Sequence, residues 1–148
     1  MARERLKAGK AAPLARLAQM FGLADVYVFG SRAKEIAAKI KEQTYDDLVS
    51  CSDVDIGVRP FYGTKLSPKD LADIAIELGD LLGVPKVDLV LLPKCDPFLA
   101  FDIIRGELIY AADPIDQAHY ELFVLRRASD LLPVKKERME LIMRDHGR

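Results

Sequence analysis

The chain has 148 residues, half of them hydrophobic and 30% charged, with a formal net charge of -1. That length fits one domain with a sizeable core, and the near-neutral balance supplies no overall basic field for nucleic acid, so direct nucleic-acid binding is not expected. No apolar run approaches the ~20 residues of a membrane span, the opening Met1-Ala-Arg-Glu-Arg lacks the apolar core of a signal peptide, and Cys51 and Cys95 have neither metal-type spacing nor a disulfide-rich context, so a cytoplasmic protein is the expectation.

Residues 11–22 place Leu14, Leu17, Ala18 and Phe21 at helical spacing, with Gly22 as the stop. A first strand is predicted from Val26 to Phe29, a short β-branched and aromatic run. Gly30-Ser31 then turns the chain into a strong helix former, Ala33 to Glu42. Residues 43–52 read as a polar connection. A second strand runs from Asp53 to Val58, ended by Pro60. The next helix has an explicit start: Ser67 as cap, Pro68 in the first turn, Asp70 three residues after the cap. Leu71, Ile74, Ala75, Leu78, Leu81 and Leu82 form its apolar face, and Gly83 closes it. A third strand is predicted over Val87 to Leu92, a helix over Pro97 to Arg105, and a short strand over Glu107 to Tyr110. A last helix begins near Asp113 and is expected to stop at Pro133. The pattern predicts an α/β (α+β) fold, a small mixed sheet flanked by helices, with residues 1–132 as one domain and 133–148 as a charged tail or short helix.

Three aspartates call for explanation. Side chains at i and i+2 of a strand point the same way, about 7 Å apart, so Asp53 and Asp55 project together while Val54 and Ile56 face the core. Two ionised carboxylates side by side repel unless a cation lies between them. Mg²⁺ takes oxygen ligands and often joins one or two carboxylates to substrate phosphates. Asp88, within Val87-Asp-Leu-Val-Leu-Leu92, joins the cluster if the third strand lies beside the second. Three carboxylates so placed suit two metals about 4 Å apart, an arrangement for in-line displacement at phosphorus. The plainer alternative pairs Asp88 with Lys86 or Lys94. Gly30 permits a tight turn and close approach of phosphate to backbone N–H groups, and Ser31 stands where a helix start favours an anion. Arg32 serves either the triphosphate or a surface carboxylate.

Phe29-Gly-Ser-Arg-Ala33, Ser52-Asp-Val-Asp-Ile-Gly-Val58 and Val87-Asp-Leu-Val90 together resemble the minimal nucleotidyltransferases (MNT) of the DNA polymerase β superfamily. The resemblance extends over roughly residues 10–130, and Phe98 to Tyr110 resembles the helix, glycine and short strand that close many minimal members. It implies a nucleotidyltransferase fold, with Gly30, Ser31 and Arg32 on the nucleotide. It also implies Asp53, Asp55 and Asp88 as catalytic metal ligands for Mg²⁺, two ions, with ATP as substrate. Asp88 would help activate the acceptor hydroxyl. The resemblance further implies an antitoxin that transfers AMP to a small helical HEPN toxin. A small-molecule, aminoglycoside-like nucleotidyltransferase and a non-enzymatic antitoxin that acts by binding are the alternatives. The chain departs from the family in two ways: the segment from Arg32 to Ser52 is longer than usual, and Lys34-Glu35 replace a common glycine.

The last helix carries Tyr120, Leu122, Phe123, Leu125 and Leu131, more apolar surface than a core-facing stripe requires. A protein interface is expected there, with a helical partner or in a homodimer. His119, His146 and Cys51 have no companions at ligand or nucleophile spacing and read as bystanders.

Overall fold

The computed structural model describes residues 11–42 and 53–146; the expected polar connection at 43–52, with Cys51 and Ser52, lies outside the described residues. In chain order these form α1 (Ala11–Phe21), β1 (Leu23–Phe29), α2 (Ala33–Glu42), β2 (Val54–Pro60), α3 (Pro68–Leu82), β3 (Val87–Leu91), a 3₁₀ turn (Leu92–Lys94), α4 (Pro97–Ile104), β4 (Glu107–Ala111) and α5 (Pro114–His146). The four strands make one mixed sheet in the order β3-β2-β1-β4. β1 runs antiparallel to both β2 and β4, and β2 runs parallel to β3. The predicted mixed sheet flanked by helices is what is found. No helix among the described residues is long and apolar enough to cross a membrane.

Strand alternation divides the molecule into two layers of helix around this sheet. Val26, Val28, Val54, Ile56, Val58 and Val87 point to one face and pack with Leu14, Leu17 and Ala18 of α1, Ile36 and Ile40 of α2, and Ile74, Leu78 and Leu82 of α3. Most of these side chains are wholly shielded from water, each worth about 1.5–3 kcal/mol if fully buried. α3 starts as its sequence dictates. Ser67 Oγ accepts from the Asp70 N–H at 3.1 Å, and Asp70 Oδ2 accepts from the Ser67 N–H at 2.9 Å, a reciprocal cap.

The opposite face carries a smaller cluster of Tyr27, Leu92, Ala100, Ile103 and Val124, contributed by the sheet, the 3₁₀ turn, α4 and α5. Gly57 is what lets α4 descend here, because a Cβ at that position would lie 2.6 Å from Ile103 Cγ2. The middle of this face is therefore covered.

Two expected boundaries move by three residues or more. β1 begins at Leu23, not Val26, and its added residues include Asp25, which pairs in register with Arg59 of β2 and is met there by the guanidinium. α5 does not stop at Pro133 but continues to His146. Proline removes one N–H and crowds the carbonyl four residues back, yet Lys135, Lys136, Glu137, Arg138, Met139, Glu140 and Leu141 beyond it are strong helix formers.

Candidate active site

β2 and β3 bring the aspartates together through their register. Asp55 sits opposite Asp88 on the parallel neighbour and opposite Phe29 on the antiparallel one. Phe29 belongs to the α4/α5 face, so Asp55 and Asp88 open onto that face. Asp53 immediately precedes β2 rather than lying inside it. It keeps the same side, since Lys86 Nζ stands 3.8 Å from Asp53 Oδ2 and 3.5 Å from Asp88 Oδ1. The pairing of Asp88 with Lys86 that the sequence offered as an alternative is thus present, but as an exposed contact shared with Asp53.

Gly30 closes against this cluster. Its φ of +80° lies where side chains rarely go, and a Cβ there would sit 2.6 Å from Asp55 Oδ2. Glycine is therefore required twice, for the turn and for the room beside the carboxylate. The turn is held by the Ala33 N–H donating to the Gly30 carbonyl at 3.3 Å. Ser31 is exposed. Arg32 pairs with Glu35 at 3.5 Å. A cavity of about 380 Å³ opens at this point, lined by Gly30, Ser31, Ala33 and Lys34 on one side and Asp102, Arg105, Gly106 and Glu107 on the other. A larger cavity of about 690 Å³ lies past the other end of β2, between the Phe61–Leu66 loop and Tyr120. Neither cavity is lined by the three aspartates, but the smaller one is walled by Gly30, which abuts the Asp55 carboxylate.

The electrostatics match a cluster short of positive charge. Burial, then Asp88, then Asp53 push the Asp55 carboxyl above the usual aspartate range. Hard oxygen donors, an excess of negative charge, and a missing Cβ beside Asp55 together suit a divalent ion such as Mg²⁺. Among the described residues no three carboxylate, imidazole or thiolate side chains stand as a ready-made ion cage.

A second polar cluster on the same face was not anticipated. Arg59 Nε donates to Asp25, and Arg59 Nη2 donates to Asp116 Oδ2 at 2.8 Å. The guanidinium also lies 4.6 Å from the centre of the Tyr120 ring. Asp25 is wholly buried, its Oδ1 has no hydrogen-bond partner among the described residues, and desolvation pushes its carboxyl up against the opposing pull of Arg59. Nearby, Gln117 Nε2 donates to Tyr27 Oη at 2.7 Å, and that hydroxyl donates to Glu121 Oε1 at 2.8 Å. These contacts fasten the first half of α5 to β1 and β2. Asp25, Tyr27 and Phe29 alternate along β1, and Asp55 and Arg59 alternate along β2. That shared period was the signal available in the sequence.

No curated protein matches the sequence. Several solved structures share its fold. A chain of a toxin–antitoxin complex crystallised with AMP-PNP aligns at 18% identity and a TM-score of 0.65, over 89% of this chain and 97% of that one. A chain of MntA–HepT, another toxin–antitoxin structure, aligns at 17% identity and a TM-score of 0.64, over 90% and 97%. A chain from the complex of tri-AMPylated Shewanella oneidensis HEPN toxin with MNT antitoxin aligns at 16% identity and a TM-score of 0.63, over 97% and 99%. At such identities the likeness speaks for the fold. The family model for polymerase β nucleotidyltransferases matches residues 15–115, which take in the Gly30 turn and all three aspartates. The chain belongs to the polymerase β nucleotidyltransferase family.

Proposed function

We propose that this protein transfers AMP from ATP to a hydroxyl group on a partner protein, and that the partner is a small helical HEPN-type toxin which the transfer silences. The observation that carries the reading is the register of Asp55 with Asp88, on one sheet face beside the Gly30 turn, in a chain of this family. Two of the solved neighbours supply the substrate and acceptor classes: one is a toxin–antitoxin with AMP-PNP, the other holds tri-AMPylated HEPN toxin with MNT antitoxin.

In this reading the Gly30-Ser31 turn receives the triphosphate and Arg32 stands at its edge. Asp53, Asp55 and Asp88 would hold Mg²⁺, two ions. Bound there, the metal supplies positive charge to the phosphates and to the attacking oxygen. The acceptor oxygen bonds to the α-phosphorus of ATP, the bond from that phosphorus to the bridging oxygen breaks, and pyrophosphate leaves. The acceptor proton passes to a carboxylate oxygen of Asp88. Leu122, Phe123, Leu125 and Leu131 are exposed on α5 and give the partner an apolar surface to meet.

The test is incubation of the protein with labelled ATP, Mg²⁺ and the helical product of a neighbouring gene. Transfer of label to that protein, absent with Asp53→Asn/Asp55→Asn, is the expected outcome. Silencing of the toxin with no change in its mass would overturn transfer and leave binding as the mechanism.

A further inference from the structure

Lys86 lies in the short connection between α3 and β3, and its place there is set by the backbone. Its carbonyl accepts the Val54 N–H at 3.1 Å. Val54 is the residue between Asp53 and Asp55, so Lys86 is tied to β2 at the carboxylates. From this anchor the side chain puts its ammonium 3.5 Å from Asp88 Oδ1 and 3.8 Å from Asp53 Oδ2. Among the described residues these are the ion pairs that reach the three aspartates. Asp55 is left without one, and its carboxyl is pushed up by burial and by its two acidic neighbours.

The ammonium is a loose occupant. The Lys86 side chain is 65% exposed, so each contact is screened by water and weak. A lysine ammonium is a compact, hydrated point charge on a flexible stem, with none of the planar fork by which an arginine grips a carboxylate. It can neutralise the cluster and then leave it.

We propose that Lys86 is an internal counter-ion of the carboxylate cluster, which an incoming divalent cation must displace, so that Lys86 sets how tightly the site takes metal. The proposal rests on the reading of Asp53, Asp55 and Asp88 as metal ligands. Lys86 acts through those carboxylates as a positioning residue. It limits their repulsion without metal, and it competes for the same oxygens when metal arrives. Two screened contacts of this kind weaken metal binding by about threefold to tenfold.

The test uses Mn²⁺ alone, without nucleotide, with the free ion followed by electron paramagnetic resonance. Lys86→Met is expected to bind Mn²⁺ about threefold to tenfold tighter than the wild type at low ionic strength. The gap narrows as salt rises, and Lys86→Arg, which keeps the charge, shows no gain. In thermal unfolding, Mn²⁺ raises the midpoint of Lys86→Met by more than that of the wild type. A merely structural lysine would not give tighter binding on its removal. Equal Mn²⁺ affinity in wild type and Lys86→Met, with binding lost in Asp53→Asn/Asp55→Asn, overturns the counter-ion and retains the metal site. Absence of Mn²⁺ binding in both wild type and Lys86→Met overturns the metal assignment together with the proposal.

Discussion

One end of the open sheet face holds Asp25 and Arg59; the other holds Asp53, Asp55, Asp88 and Lys86. Both clusters set carboxylates against a cation, yet α5 packs on the first while the Asp53 and Asp88 side chains of the second stay partly exposed. Asp25 is sealed from water and its arginine is also committed to Asp116 and to the face of Tyr120. Asp53 and Asp88 share the ammonium of one largely exposed lysine, and Asp55 has no ion pair among the described residues. A carboxylate sealed from water beside a buried cation is out of a ligand's reach and serves to position helix against sheet. Carboxylates with an exposed, exchangeable cation keep their lone pairs available. Gly57 lies between the two clusters on β2, and there α4 packs Ile103 down onto the strand.

The largest effect that sharpens the contrast is chemical. Asp53→Asn/Asp55→Asn should lower AMP transfer by about a thousandfold or more, several kcal/mol of lost transition-state stabilisation. Its urea unfolding midpoint should stay level or rise, because two repelling charges are gone. At the closed end the reverse is expected. Arg59→Met strands Asp25 as a buried charge and should cost about 3 kcal/mol or more, read from denaturant unfolding. A variant with wild-type stability would show that the two clusters do not differ in kind.

Gly30→Ala tests the border between fold and chemistry. Its positive φ alone costs about 1–2 kcal/mol for an L-residue, and the added Cβ must push the Asp55 carboxylate aside. Unfolding and Mn²⁺ titration together should show a modest stability loss with a larger fractional loss of metal binding. The smallest effect is in the pH dependence. Asp55 binds its proton more tightly folded than unfolded, because its native value is raised above 3.8. Its penalty on folding is absent below that ordinary value, grows as pH rises through the raised native one, and is complete above it. Urea midpoints measured from about pH 4 to about pH 7 should show Asp55→Asn gaining on the wild type as pH rises.

The elements and the open-end aspartates were legible in the sequence because their signals are local. Ser67-Pro68 with Asp70 and Gly83 bracket α3 whatever surrounds them, and the i, i+2 alternation places Asp53 and Asp55 on one side of any strand that contains them. The Gly-Ser turn, the paired aspartates and the later Asp88 also pointed together to the family. The partners across the sheet were decided by the tertiary structure. Asp25 lies outside the strand expected over Val26 to Phe29, and only the pairing with Arg59, far along the chain, brings it into the sheet. Lys86 offered itself as one of two neighbours for Asp88, and only the parallel pairing of β2 with β3 brought Asp53 to the same ammonium. The continuation of α5 through Pro133 likewise escaped the local rule, since a single missing hydrogen bond is outweighed by the helix formers that follow. Local pattern determines what a segment forms and which way its side chains point; strand register determines which distant charges meet, and burial then decides whether a carboxylate is spent on structure or kept for chemistry.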